Sequence, residues 1–411
     1  MSDTQDDFSK LEQAAAAGGT TAMLDALANS LAARRRWHSL FDARLLQARI
    51  ALGLPPVGDT ATIPEATRQQ LEERSVAACR EVGWPLLEEG HVAAAWMYLR
   101  AAAEPADVAA RLGDLAQRLV PAADEDDEET ARRLQELVGI TLWEGVDPAL
   151  GLKIVLETQG TCNSITAYEQ AVSRLPAARQ AGAAAVLVEH LHRDIAANLA
   201  ADLERRGIAL PAAAEPSIVA LLEAAGGLAD DPSVHVDVSH LQSVLRIARV
   251  SADPAVVRKA WELACYGCRL PAEVVYPGEP PFEDVAKASR LFFGSQLGHD
   301  VDEAVAFFRR AAATAGDHAG TLPCDTLVLL LSRLSRPAEA LHAALQRPQD
   351  DGLSGQLQIP GLLPSLVDLA AASGEWQLLR RACRERGDEI TFAAALAAER
   401  SGGRSTPPGP R

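Results

Sequence analysis

The chain has 411 residues, enough for one long core or for two to three compact ones; a repeat architecture escapes that limit because each unit packs only on its neighbours. Hydrophobic residues make up 48% but aromatics only 4%, and the apolar mass is chiefly Ala and Leu, so an all-α fold is expected. Lys plus Arg total 39 against 56 Asp plus Glu, a net charge of −17 that repels a phosphate backbone and argues against nucleic acid as a partner.

The opening MSDTQDDFSKLEQ is polar and acidic, unlike a secretory signal. No apolar run reaches the ~20 residues that a transmembrane helix needs. Six scattered cysteines in so long a chain need no disulfide staples, so the expectation is a reduced cytoplasm and no membrane. Residues 8–50 carry Met23, Leu24, Leu27, Leu31, Leu40, Leu45, Leu46 and Ile50 at helical spacing around a Gly18-Gly19 break, which predicts two or three helices. Arg34-Arg35-Arg36 reads as the exposed face of an N-terminal helix.

The Pro- and Gly-rich segment 53–64 is a loop, followed by helices over 65–82, 92–103 and 107–119. The acidic run 124–129, DEDDEE, reads as a solvated linker and a helix start facing the dipole, ahead of Leu134, Leu137, Val138 and Thr141. Over 144–169 the pattern loosens around Gly160-Thr161-Cys162-Asn163. A long helix is expected over 177–206, a second loop over 211–216, a short helix over 217–225 and a glycine turn at Gly226-Gly227.

Residues 234–270 hold the clearest helical hairpin. Leu241, Val244, Leu245 and Ala248 recur at i, i+3, i+4 and i+7, with Ser239 placed to cap that helix. Asp253 and Pro254 supply a cap and a first helical residue for the second, whose stripe is Val257, Ala260, Trp261 and Ala264, ending at Gly267. The turn 251–253 is too short to let the helices diverge, so they pack antiparallel. Residues 271–282, PAEVVYPGEPPF, form an extended connector. Hairpins then resume over 283–297, 301–315, 325–334, 337–345, 364–373, 375–385 and 389–400. The parts are therefore N-terminal hairpins (1–122), a middle helical region (123–233), a C-terminal hairpin stack (234–400) and a disordered tail (401–411), with short extended segments near 234–238 and 271–282.

Ala94, Tyr98 and Ala101 repeat the spacing of Ala304, Phe308 and Ala311. The pattern resembles the second helix of tetratricopeptide (TPR) repeats, which implies a degenerate hairpin stack, an α-solenoid. The copies lie 210 residues apart, without a strict period or the family's first-helix Trp and Gly-Tyr positions. The phrases GTCNSITAYE, HVDVSHL, WELACYGCRL, PPFEDV and RGDEITFAAAL resemble those of an uncharacterised bacterial family of TPR-like α-helical proteins over nearly the whole chain. That resemblance implies no activity.

Several groups bear on chemistry. His235, Asp237 and His240 form H-x-D-x-x-H; in an extended 234–238 segment residues 235 and 237 point to one face, and the turn into the following helix could bring His240 alongside, a set suited to zinc, iron or manganese. The competing reading is a cap by Asp237 or Ser239 with the imidazoles satisfying loop groups. Cys265 and Cys268 have zinc-knuckle spacing but no second pair, and read as buried thiols at a helix end. Glu189 and His192, at i and i+3, read as a charged helix face. His192-Arg193-Asp194 lacks the rest of a kinase signature. Arg386-Gly387-Asp388 reads as a helix C-terminal glycine followed by a cap.

The reading that follows is a protein- or peptide-binding helical scaffold that requires no cofactor. Its alternative is a metal-dependent hydrolase binding zinc or another divalent transition metal at His235, Asp237 and His240, with Glu169 or Glu189 as general base. A homo-oligomer formed through alanine-rich helix faces is the third.

Overall fold

A computed structural model describes residues 2–58, 63–122, 127–212, 217–226, 236–315, 319–347 and 361–401. Among them the regular structure is helical throughout, without a strand, as the Ala- and Leu-rich composition requires. The tail 402–411 lies outside the described residues. No helix among those described is long and apolar enough to cross a membrane. The chain divides into two compact units, Met1–Thr158 and Gln159–Arg411.

The first unit holds α1 (Ser2–Ala33), α2 (Trp37–Ala51), α3 (Glu65–Glu88), α4 (Val92–Leu99), α5 (Pro105–Leu119), α6 (Glu128–Val138) and the start of α7 (Pro148–Ala167). Helices α1 to α4 pack each on the next, and α6 packs on both α4 and α5. The helical run of α1 is broken where expected, with Gly19 at φ 70°. Ala28, Leu31, Leu40, Ala43 and Val82 form a core cluster bordered by Trp37, Phe41 and Tyr98. Asp127 caps α6, accepting from the amides of Glu129 and Thr130, so the described end of the acidic run is a helix start; residues 124–126 lie outside the description.

Three sequence expectations are corrected here. Helix α3 does not stop at residue 82 but runs to Glu88 through Pro85. Its apolar face, Val82, Gly83, Leu86 and Leu87, stays buried across the proline, and that burial outweighs one lost backbone hydrogen bond. In α4 the buried residues are Val92, Ala95 and Leu99, one position off the Ala94–Tyr98 pattern, and Tyr98 lies half-buried with its ring 5.0 Å from Phe41. The second copy is fully buried at Ala304 and Phe308, so the two copies are not structurally equivalent. The Arg34–Arg36 run occupies the turn between α1 and α2 rather than a helix face, and Arg34 and Arg35 pair with Asp7 and Glu89.

The second unit is arranged around α8 (Ala177–Arg205), on which α9 (Ile218–Ala225), α10 (Val238–Ile247) and α11 (Pro254–Gly267) all pack. From α11 the chain proceeds by neighbours: α12 (Val285–Gln296), α13 (Val301–Thr314), α14 (Leu322–Arg333), α15 (Pro337–Leu345) and α16 (Leu366–Ser373). Helices α17 (Trp376–Arg386) and α18 (Glu389–Arg400) pack on each other and on α16. Asp253 caps α11 through the amides of Ala255 and Val256 with Pro254 in the first turn, and Gly387 ends α17 with φ 68° before Asp388 caps α18, all as local signals require. Phe292, Phe293 and Phe308 are fully buried; Phe292 meets the other two edge-on. Burial of each ring contributes roughly 1.5–3 kcal/mol.

The segments expected to be loose are more ordered than their composition suggests. Residues 148–167 are helical with a break at Gly160, and residues 168–172 continue as a π-helical turn closed by the amide of Ser173 donating to the carbonyl of Tyr168. Residues 271–282 include a short 3-10 turn, Ala272–Val274, and a cis Pro280–Pro281 bond.

Candidate functional site

A cavity of about 270 Å³ opens in the second unit. The π-helical turn supplies Tyr168 and Glu169, the end of α10 and the 3-10 turn Ala248–Val250 supply Ile247, Arg249 and Val250, and the connector supplies Gly278, Glu279 and Phe282. Val285, Leu322 and Leu362 complete an apolar wall. Gly278 is required where it stands: a Cβ would come within 2.6 Å of the Phe282 carbonyl oxygen and 2.7 Å of Val285 Cγ2. Its amide donates to the Glu283 carbonyl at 2.8 Å and closes the loop.

The polar floor is held by Gln180, buried in α8. Its side-chain amide donates to the carbonyls of Ser173 and Leu175 at 2.9 and 2.6 Å, and its oxygen accepts from the Tyr168 hydroxyl at 2.9 Å. Burial pushes the Tyr168 phenol up from its ordinary value, so it stays a neutral donor.

Arg249 is different. It is 8% exposed, and its Nε is fully enclosed without an acceptor. Among the described residues its guanidinium has no carboxylate within ion-pair distance; its neighbours are the rings of Phe282 and Phe292, 5.8 and 5.9 Å away. Burial, with Arg246 nearby as a like charge, holds its ionisation down at about 10, so the side chain is still cationic at neutral pH. Arg333 lies behind it, also held down to about 10 by burial, and donates to the Arg249 carbonyl at 2.7 Å. The C-terminal end of α10 offers the cation partial compensation through the helix dipole. By contrast, the Arg44 guanidinium, in a cavity of the first unit, is fully engaged by Glu81 at 2.7 and 2.8 Å.

Of the residues singled out by sequence, those described lie elsewhere, Glu169 excepted. Glu169 is exposed in the cavity lining. His235 lies outside the described residues. Asp237, not Ser239, is the N-cap of α10: its Oδ1 accepts from the Ser239 amide at 2.8 Å and from the Ser239 hydroxyl at 2.6 Å. Asp237 has extended backbone angles, φ −73° and ψ 118°, ahead of α10. No group of three or more His, Cys, Asp and Glu side chains among the described residues is placed to hold a metal. Those hydrogen bonds hold the Asp237 carboxyl below the usual range. A depressed value means the cap's stabilisation is present at neutral pH and is lost as pH falls through the carboxylate range. Asp237→Ala is expected to cost about 1 kcal/mol at pH 7 and less at pH 3, measured by urea denaturation at both.

Cys265 is half-buried and Cys268, the C-cap of α11, is exposed, which corrects the reading of both as buried thiols. Burial pushes Cys265 up to about 12, opposing the thiolate that metal binding or nucleophilic attack needs. On α8, Glu189 pairs with Lys259 at 3.4 Å, while His190 Nε2 lies 2.9 Å from the Thr161 hydroxyl. His192 Nε2 is 2.9 Å from Glu262 Oε2, a buried carboxylate that sequence reading passed over, and the same oxygen accepts the first amide of α9, Ile218, at 2.8 Å. Glu262 thus ties α8, α9 and α11 together.

Arg249 was also passed over. Its signal was a charged residue four positions after Leu245, at the edge of the apolar stripe. No family model matches the chain, and no curated protein or solved structure resembles it beyond chance.

Proposed function

We propose that the chain is a binding scaffold, a stack of irregular helical hairpins of TPR-like, α-solenoid kind, that takes an apolar ligand into the cavity of residues 159–411. The observation that carries this reading is the cavity itself: apolar walls from Ile247, Val250, Phe282, Val285, Leu322 and Leu362, with a few polar groups in the same lining. Its polar floor is internally hydrogen-bonded and its glycine loop is closed, so the pocket is preformed. The end of a protein or peptide, inserting an apolar side chain, suits this reading. Shallow helix faces elsewhere then serve as the rest of the contact.

A neutral apolar dye, N-phenyl-naphthylamine, tests the reading. The full chain is expected to bind it saturably with one site per chain. Ser173→Trp, which fills the cavity from a half-buried wall position, is expected to weaken binding about tenfold or more while helix content and melting temperature stay unchanged. Equal binding by wild type and a fully folded Ser173→Trp overturns the assignment of the cavity.

A further inference from the structure

We propose that the cavity recognises a monocarboxylate carried on an apolar body, with the carboxylate paired to the guanidinium of Arg249. The inference rests on the cavity being the binding site and names the chemistry of its ligand.

Three observations converge. The first is the orphaned cation: Arg249 is buried in the cavity lining, its Nε has no acceptor, and no described carboxylate lies within pairing distance. A buried charge without a partner is costly to fold, and the arrangement becomes favourable when an anion arrives with the ligand. Second, the surroundings suit a carboxylate among anions. A guanidinium fork matches the two coplanar oxygens of a carboxylate, and the Phe282 and Phe292 rings flank it.

Third, the charges of the lining limit the ligand. Glu169 and Glu279 are exposed residues of the same lining as Arg246 and Arg249. Two carboxylates there repel a dianionic or polyanionic head, whereas a single negative charge buried at Arg249 is shielded from them. Ile247, Val250, Phe282, Val285, Leu322 and Leu362 give no partner to a polar body, so the remainder of the ligand is aliphatic or aromatic. A free aliphatic acid and the C-terminal residue of a peptide with an apolar side chain share this chemistry.

The test is isothermal titration of the full chain with octanoate, its neutral isostere octanamide, acetyl-leucyl-leucine and the amidated form of that dipeptide. A charge-assisted hydrogen bond to a buried guanidinium is expected to favour each acid over its amide by about tenfold or more. Arg249→Met is expected to abolish that preference while retaining octanamide binding, and Arg249→Lys to retain part of it. Tighter binding of octanoate than of the dipeptide identifies a free acid as the source, and the reverse order a peptide end; both orders support carboxylate recognition. Equal binding of acid and amide, with both lost in Ser173→Trp, overturns carboxylate recognition and leaves the cavity as a binding site. An acid preference that survives in Arg249→Met overturns the assignment to Arg249. Absence of binding by all four probes overturns the proposal, and the neutral dye then decides separately whether the cavity binds anything.

Discussion

Replacing Arg249 with Met is expected to stabilise the ligand-free chain by about 1–4 kcal/mol, the range by which replacing buried ion pairs with apolar side chains of similar volume can stabilise a fold. The side chain is 8% exposed, lacks a carboxylate partner among the described residues, and stands next to a half-buried arginine, Arg333. Its contacts with Phe282 and Phe292 recover some of the desolvation cost, at about 0.5–2 kcal/mol for a cation over an aromatic face. A methionine sulfur keeps favourable contact with the same rings, so the exchange removes the charge and preserves the packing. In a unit of this size each kcal/mol moves the melting temperature by about 2–4 °C, which thermal denaturation resolves. The sign of the pH dependence follows from the depressed ionisation of Arg249, near 10 in the fold. The cost of the buried charge is complete below that value and is relieved as pH rises through it, so the variant's advantage is constant at neutral pH and shrinks in strong alkali. A loss of more than about 1 kcal/mol on Arg249→Met makes the arginine a structural element and removes the main reason to see an anion site.

The opposite sign is expected for Glu262→Ala, with a loss of about 3–5 kcal/mol, the cost of removing one partner from a buried charged cluster. Glu262 is 7% exposed, and a single oxygen accepts both the His192 ring and the first amide of α9. Truncation strands a buried amide donor at the start of α9 and the imidazole on α8, and opens a void on α11. Glu262→Gln keeps one acceptor oxygen, so its loss is expected to be roughly half that of the alanine variant. Urea denaturation of both variants measures the difference. A loss under about 1 kcal/mol for Glu262→Ala shows that water replaces the carboxylate and that the junction of α8, α9 and α11 does not depend on it.

The two residues illustrate what was legible in the chain. Local signals placed most helices well: Asp253-Pro254 starts α11, Gly387-Asp388 separates α17 from α18, and Pro337–Leu345 and Glu389–Arg400 match their periodic segments. These depend on neighbours within four residues, which sequence displays directly. The errors arose where tertiary packing overrides a local rule. Pro85 stays inside α3 because the apolar face around it is buried, and α4 is rotated by one residue from the aromatic pattern because Ala95 and Leu99, not Ala94 and Tyr98, face its core. The π-helical turn at Tyr168–Val172 has no composition signal, yet it aims Tyr168 and Glu169 at the cavity.

The candidate site was the least legible part. The H-x-D-x-x-H motif is conspicuous because its ligand types are adjacent in the chain; Asp237 caps α10, and His235 lies outside the described residues. The groups that converge come from widely separated segments. Glu262 lies 70 positions from His192 and 44 from Ile218, and the cavity draws residues from Tyr168 to Leu362. An arginine one residue past Ala248, beside the stripe Leu241, Val244, Leu245 and Ala248, is a visible anomaly in sequence. Whether such a residue finds a carboxylate or waits for one depends on helices far along the chain.

The most direct measurement is the nuclear magnetic resonance signal of the Arg249 Nε–H group in arginine-labelled protein, assigned by its disappearance in Arg249→Met and followed during addition of octanoate. The expected result is a saturable shift of this signal that octanamide does not reproduce. An Arg249 signal that stays in place at octanoate concentrations that saturate binding would contradict the pairing of a ligand carboxylate with this guanidinium.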